Sequence, residues 1–243
     1  LSDEQRILRI VKLIKENNPD FFTSQEVSDL DAALCLYEKL SPEFAEFYLF
    51  MGPTACILQN PSGLFIASKY KTSEPGFADF SDIEGSEQMV NKGYFWFSTP
   101  FAHVITTHLS PSSDDLNPTA LENETRWQEQ QRIWEKGREL FEASNQPVFV
   151  LGDLNTSSGP LFDHRLNQET TALSETDYLV DRNFRYKADA KPRGTTLDHF
   201  LSLFKKVDVD TKVVATFDVT QPEKAISDHP ALFSEVTLSK DLF

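Results

Sequence analysis

Gln146-Pro147-Val148-Phe149-Val150-Leu151-Gly152-Asp153-Leu154-Asn155 is a short apolar run opened by a proline and closed by a glycine, with an acid and an amide just beyond. Such a run between breakers predicts a buried strand. In layered α/β proteins ligands collect at the C-terminal ends of strands, and positions two apart on an extended segment point the same way. Asp153 and Asn155 are therefore expected to face one bound group together. Gly, Asp and Asn are also ordinary turn residues, and a strand-end turn is the plain alternative for this string alone.

A second string, Ser227-Asp228-His229-Pro230, stands between Lys224-Ala225-Ile226 and the apolar Ala231-Leu232-Phe233. Histidine is the side chain most easily tuned for proton transfer near neutral pH, although a lone one is more often structural. Three further pieces fit the same pattern. Glu26 follows the short strand-like Phe21-Phe22-Thr23-Ser24 and offers a hard oxygen suited to magnesium. His108 ends the β-branched run Val104-Ile105-Thr106-Thr107, and Asp198 falls inside the strand-like Thr195-Thr196-Leu197-Asp198-His199-Phe200-Leu201. A carboxylate there is costly unless it serves a partner. Singly these read as a surface glutamate, a core histidine and a capping aspartate; together they point to metal-assisted phosphoester chemistry.

The order Gln-Glu-Val, Thr-His-Leu, Gly-Asp-Leu-Asn, Leu-Asp-His-Phe and Ser-Asp-His, spread over residues 19–232, resembles the endonuclease/exonuclease/phosphatase superfamily. The strings Gly63-Leu64-Phe65-Ile66-Ala67-Ser68-Lys69-Tyr70 and Asn91-Lys92-Gly93-Tyr94-Phe95, with His103 to Leu109, are similar to its neutral sphingomyelinase branch. The resemblance implies an α/β, four-layer sandwich of two packed mixed β-sheets flanked by helices. It implies a magnesium-dependent phosphodiester hydrolase releasing a phosphorylated head group from a phospholipid or small phosphodiester, with manganese or another divalent cation as the substitute metal. Carried over residue by residue, Glu26 binds the metal and Asp228 contributes to a second metal site. Asp198 holds the imidazole of His229, His229 is the general base, Asp153 and Asn155 orient water and phosphoryl oxygens, and His108 stabilises the phosphate or protonates the leaving group. The alternatives are a metal-dependent endonuclease of the deoxyribonuclease-like branch and a catalytically inactive binding module on the same fold. Family members begin with a strand carrying an asparagine of the metal site. Here Ser2 and Gln5 have capping-box spacing, and Ile7, Leu8, Ile10, Val11, Leu13 and Ile14 form an apolar helix face ending at Asn17-Asn18-Pro19. The first strand is thus expected to be lacking, through N-terminal truncation.

At 243 residues with 40% hydrophobic content the chain can bury a substantial core, and one catalytic domain over residues 1–243 is expected, as a monomer. Stretches 72–91 and 110–124 read as long surface loops. No segment is apolar enough to span a membrane, and the compartment is left open. A net charge of -15, from 23 basic against 38 acidic residues, makes nucleic acid the weaker substrate class, because non-specific duplex binding draws on many Lys and Arg contacts. Twenty phenylalanines include the cluster Tyr94-Phe95-Trp96-Phe97, which a doubly buried strand explains. Peripheral contact with lipid is the sharper reading of those aromatics. Residues 213–224 hold only Phe217, unlike the aromatic hairpin that secreted bacterial sphingomyelinases carry before Ser-Asp-His. Lys92 is expected to be exposed, and Cys35 and Cys56 to be buried thiols in a helix and a strand.

Overall fold

Strands with apolar residues on both faces need cover on both sides, and that requirement organises the molecule into layers. The computed structural model describes residues 3–50, 62–86, 90–113, 118–155, 170–175, 178–179, 194–195, 198–204, 207–214 and 231–238. In chain order these form α1 (Asp3–Asn17), β1 (Phe21–Ser24), α2 (Leu30–Leu40), β2 (Glu46–Phe50), β3 (Leu64–Ser68), β4 (Ser73–Asp79), β5 (Gly93–Ser98) and β6 (His103–His108). Then follow α3 (Ala120–Ser144), β7 (Val148–Asp153), β8 (Thr170–Glu175), β9 (Tyr178–Leu179), β10 (Gly194–Thr195), β11 (Asp198–Leu203), β12 (Asp208–Val214) and β13 (Ala231–Thr237). One sheet has the order β1-β3-β2 and is antiparallel; the other is mixed, β4-β5-β6-β7-β11-β8, with β6 and β7 parallel. The pairs β9/β10 and β12/β13 are separate two-stranded ribbons.

Alternation along each strand assigns its residues to layers. On β3, Leu64 and Ile66 meet Phe95, Phe97 and Val104 of the facing sheet, while Phe65 and Ala67 turn outward onto Ile7, Val11 and Ile14 of α1 and Ala33, Leu36 and Leu40 of α2. On the far side, Tyr94, Ile105, Val148, Val150, Leu201 and Leu203 pack under Ile133 and Leu140 of α3. The β12/β13 ribbon covers the rest of the inter-sheet face, with Leu232 and Val236 against Phe149 and Phe200. The result is the expected four-layer arrangement: helices, sheet, sheet, helix. Phe97 and Ile105 are fully buried, so each contributes roughly 1.5–3 kcal/mol of burial.

Two sequence expectations about loops need correction. Stretch 72–91 contains β4, an edge strand paired antiparallel with β5 through an irregularity between Ser73 and Gly76. Its first residues, Ser73-Glu74-Pro75, are exposed. Edge strands tolerate polar residues and proline because one side of their ladder faces solvent, which is why the stretch reads as a loop. Gly76 is required there by Trp96, whose ring would lie 2.2 Å from a Cβ at that position. Stretch 110–124 already contains the start of α3: the Thr119 hydroxyl accepts from the Glu122 amide, and the Glu122 carboxylate accepts from the Thr119 amide, a complete capping box. Ser110 and Ser112 in the same stretch are buried. Cys35 lies in α2 as expected but is half-buried, and Cys56 falls outside the described residues.

Candidate active site

Strand register builds the site. The parallel pairing of β6 with β7 sets His108 opposite Asp153, and the antiparallel pairing of β11 with β7 sets Asp198 opposite Asp153. His108, Asp153 and Asp198 therefore form one row across three adjacent strands, at the C-terminal ends of β6 and β7 where β11 begins. The close approach of β6 and β7 at this edge rests on Gly152. Its φ is +142°, and a Cβ would lie 2.0 Å from the Thr107 carbonyl oxygen, so an L side chain fits neither the backbone nor the space.

His108 Nε2 stands 3.7 Å from Asp153 Oδ2, with each side chain 9% exposed. A carboxylate so sheltered from solvent acts on a neighbouring charge far more strongly than one on the surface. The other oxygen, Asp153 Oδ1, accepts from the Asn155 amide at 2.8 Å, and Leu109 N donates to the Asp153 carbonyl at 3.0 Å. Asn155 itself departs from expectation. Strand β7 ends at Asp153, and Asn155 has φ +47°, a left-handed conformation that asparagine tolerates. Its side chain is not carried beside that of Asp153 by strand alternation; its Nδ2 donates instead to the Leu109 carbonyl at 2.8 Å. The turn and the site share these residues, because the Asp153 carboxylate caps the turn that places Asn155. Both remain buried next to His108.

Glu26 is exposed, two residues beyond β1, with φ +60°. The loop is fixed by Gly63, whose carbonyl accepts from Val27 N at 2.9 Å and whose missing side chain makes room for the Glu26 backbone. A glutamate held in this region costs of order 1–3 kcal/mol, strain of the kind that gathers at ligand sites. Among the described residues no group of three or more His, Cys, Asp and Glu side chains is gathered closely enough to hold a metal ion by itself. Asp228 and His229 lie outside the described residues. The donors on the described row and loop are carboxylate oxygens at Asp153, Asp198 and Glu26, the chemistry that suits a hard divalent cation.

Lys92 contradicts its sequence reading. It is 5% exposed, and its Nζ donates to the Leu109 carbonyl at 3.0 Å, the acceptor that Asn155 also uses. Set in the Asn91-Lys92-Gly93 string just before β5, it carried no sequence sign of burial. Glu129 was not anticipated at all: it is 0% exposed in a helix whose composition is largely polar and charged. The one sequence signal was its place on the α3 face of Arg126, Glu129, Ile133, Gly137 and Leu140, three and four residues apart.

The family model described as Endonuclease/Exonuclease/phosphatase family matches residues 1–229. Among solved structures, beta toxin from Staphylococcus aureus is similar with a TM-score of 0.74 and 18% identity over 98% of this chain and 93% of its own. Sphingomyelinase C from Streptomyces griseocarneus aligns with a TM-score of 0.71 and 17% identity, covering 96% of this chain and 91% of its own. Truncated TDP2 from Caenorhabditis elegans gives 0.70 and 18%, over 98% and 92% of the two chains. At these identities the likeness is one of fold. No curated protein matches the chain.

Proposed function

This chain belongs to the endonuclease/exonuclease/phosphatase family, and we propose that within it the protein is a divalent-cation-dependent phosphodiester hydrolase of the sphingomyelinase kind. The observation that supports the proposal is the row His108–Asp153–Asp198 at the strand ends, its first two members buried and Asp198 half-buried, on a fold shared with a sphingomyelinase. A beta toxin of the same fold, with a TM-score of 0.71, has been crystallised with bound magnesium ions, which supports the same cation here. Glu26 and Asp228 would hold it. Bound there, magnesium would supply Lewis-acid stabilisation of the charge that develops on the phosphate oxygens.

The chain's own residues would do the rest. His229 accepts a proton from a water as that oxygen bonds to phosphorus, and Asp198 holds the imidazole in the tautomer that leaves its other nitrogen free to do so. Asp153, already fixed by the Asn155 amide, orients the water and phosphoryl oxygens with Asn155. As the bond from phosphorus to the leaving alcohol breaks, His108 donates the proton that neutralises it. Asp153 Oδ2 stands 3.7 Å from the Nε2 of that ring. The substrate is a phospholipid with a phosphorylated head group or a related small phosphodiester. The charge of -15 favours this over a nucleic acid. No described helix is long and apolar enough to cross a membrane, so contact with lipid would be peripheral.

The test is hydrolysis of sphingomyelin in detergent micelles beside plasmid DNA, each with magnesium and with chelator. Metal-dependent release of phosphocholine is the expected result. Nicked plasmid with intact lipid would replace the lipid reading by a nuclease, and inertness toward both, with tight phosphate binding, would make the protein a binding module.

A further inference from the structure

On the α3 side of the row lies a second polar set, also buried. Glu129, 0% exposed, accepts from Ser110 N at 3.0 Å on Oε2, and on Oε1 from Ser110 Oγ at 2.6 Å and Ser86 Oγ at 3.1 Å. One residue earlier, the Leu109 carbonyl receives Lys92 Nζ at 3.0 Å and Asn155 Nδ2 at 2.8 Å, which fills both of its lone pairs. The Leu109–Ser110 peptide, immediately after His108, is thus gripped on one side by a buried carboxylate and on the other by a buried ammonium and an amide.

Stability does not account for this arrangement. Removing a carboxylate and an ammonium from water costs several kcal/mol each, and well-packed apolar residues would fasten a helix to a sheet at least as firmly. Burial pushes the Glu129 carboxyl above the ordinary carboxylate range, while Ser110, Ser86 and the charge of Lys92 pull it back. What apolar residues could not do is fix the direction of one peptide group. We propose that Glu129 and Lys92 are positioning residues: they fix the Leu109–Ser110 peptide at the exit of β6, and through it the side chain of Asn155 and the ring of His108 at the reactive edge. The inference rests on the phosphodiesterase reading of the row, and concerns residues outside it.

The experiment uses the full chain with magnesium and bis(p-nitrophenyl) phosphate as probe. Glu129→Leu, apolar and without an acceptor, is expected to lower kcat by about 10- to 100-fold with KM little changed, as outer partners of reacting groups do. Glu129→Gln is expected to restore most of it, because its carbonyl can accept the Ser110 amide and the two hydroxyls can turn to accept its NH2. Lys92→Met should fall with Glu129→Leu. A second readout is independent of turnover: the side-chain amide resonances of Asn155 should shift in Glu129→Leu and Lys92→Met and return in Glu129→Gln. If the parent protein hydrolyses no phosphodiester, that reading of the row fails, and the resonances alone decide the positioning role. If Glu129→Leu does not fold, Ser110→Ala and Lys92→Met carry the same two readouts. Folded variants with parental kcat and an unshifted Asn155 amide would overturn the proposal.

Discussion

Strand β6 begins and ends with a histidine, and the two are buried to nearly the same degree, His103 at 4% and His108 at 7% exposure. Their surroundings differ in kind. His103 Nδ1 lies 2.7 Å from Ser98 Oγ and its Nε2 2.6 Å from Ser144 Oγ, so two hydroxyls complete the ring without asking it to carry charge. Burial accordingly pushes its pKa below the usual histidine value, against a smaller upward pull from Glu74. His108 faces a carboxylate, Asp153 Oδ2 at 3.7 Å. Hydroxyls rotate to suit either tautomer, whereas a buried carboxylate rewards a proton. Burial alone therefore does not tell the two histidines apart; the partner's charge does.

The largest expected break of this comparison is an exchange of roles. His108→Ala should lower phosphodiester hydrolysis by about 10²–10⁴-fold with the protein still folded, the range of a lost general acid or electrostatic partner. His103→Ala should do the converse, leaving kcat within a few-fold while costing roughly 2–4 kcal/mol of stability through the cavity and the two stranded hydroxyls. Activity assay and denaturant unfolding on both variants decide it. Equal loss of activity in the two would mean that the ends of β6 are not functionally distinct.

Next in size is Gly152→Ala, which tests whether the row depends on β6 and β7 touching. The added Cβ would lie 2.0 Å from the Thr107 carbonyl oxygen at φ +142°. Relief requires parting the two strands opposite His108 and Asp153. A loss of about 3 kcal/mol or more is expected, with activity falling beyond what the unfolded fraction explains. Unfolding titration together with the activity of the folded fraction measures both.

The comparison sharpens with pH. The unfolded chain protonates His103 near the ordinary histidine value of 6.5, while the folded ring binds a proton less readily. The unfolded state then holds more protons, so stability rises with pH. The stabilisation is whole above the unfolded pKa of 6.5 and is lost as pH falls from there through the folded pKa. His103→Gln should flatten the stability profile just below pH 6.5, a window above that of Glu122, whose carboxyl is held down to about 2 by the Thr119 and Ser113 amides. Thermal melts at half-unit pH steps would show it; an unchanged slope in His103→Gln would mean that another group sets it.

How much of this was legible in the sequence follows the same division between local and non-local causes. Strand β7, its Gly-Asp ending and the apolar runs of β3, β5 and β6 were readable because burial on both faces leaves unbroken hydrophobic strings. Helix α1 was readable from its period, although Leu8, read into the apolar face, is 45% exposed. Edge strand β4 was missed because its solvent side selects against the very pattern that marks a strand. In the site, motif order singled out His108, Asp153 and Asp198, but not their register across three strands nor the turn of Asn155, which the Asp153 carboxylate dictates after the strand has ended. Lys92 and Glu129 were illegible for a further reason. Their burial is created by tertiary packing of α3 on β6, and a charge destined for the interior looks in sequence like any other.

The smallest expected effect concerns a contact that looks strong on geometry alone. Arg132 on α3 grips Asp82 with two bonds of 2.7 Å, and each partner's pKa moves in the direction that favours the charged form. Yet the side chains are 39% and 64% exposed, so water screens the pair and their freedom is lost in forming it. Arg132→Ala should cost under about 1 kcal/mol and leave kcat unchanged, with the difference shrinking in high salt. Its counterpart in the interior, the Glu129 and Lys92 grip on Leu109 and Ser110, should be insensitive to salt, because the Debye atmosphere does not reach a carboxylate with 0% exposure. Unfolding of Arg132→Ala and Glu129→Gln at low and high ionic strength separates the two: a salt-dependent Glu129→Gln difference would mean that solvent enters behind the row, and that the peptide after His108 is less firmly held than its hydrogen bonds imply.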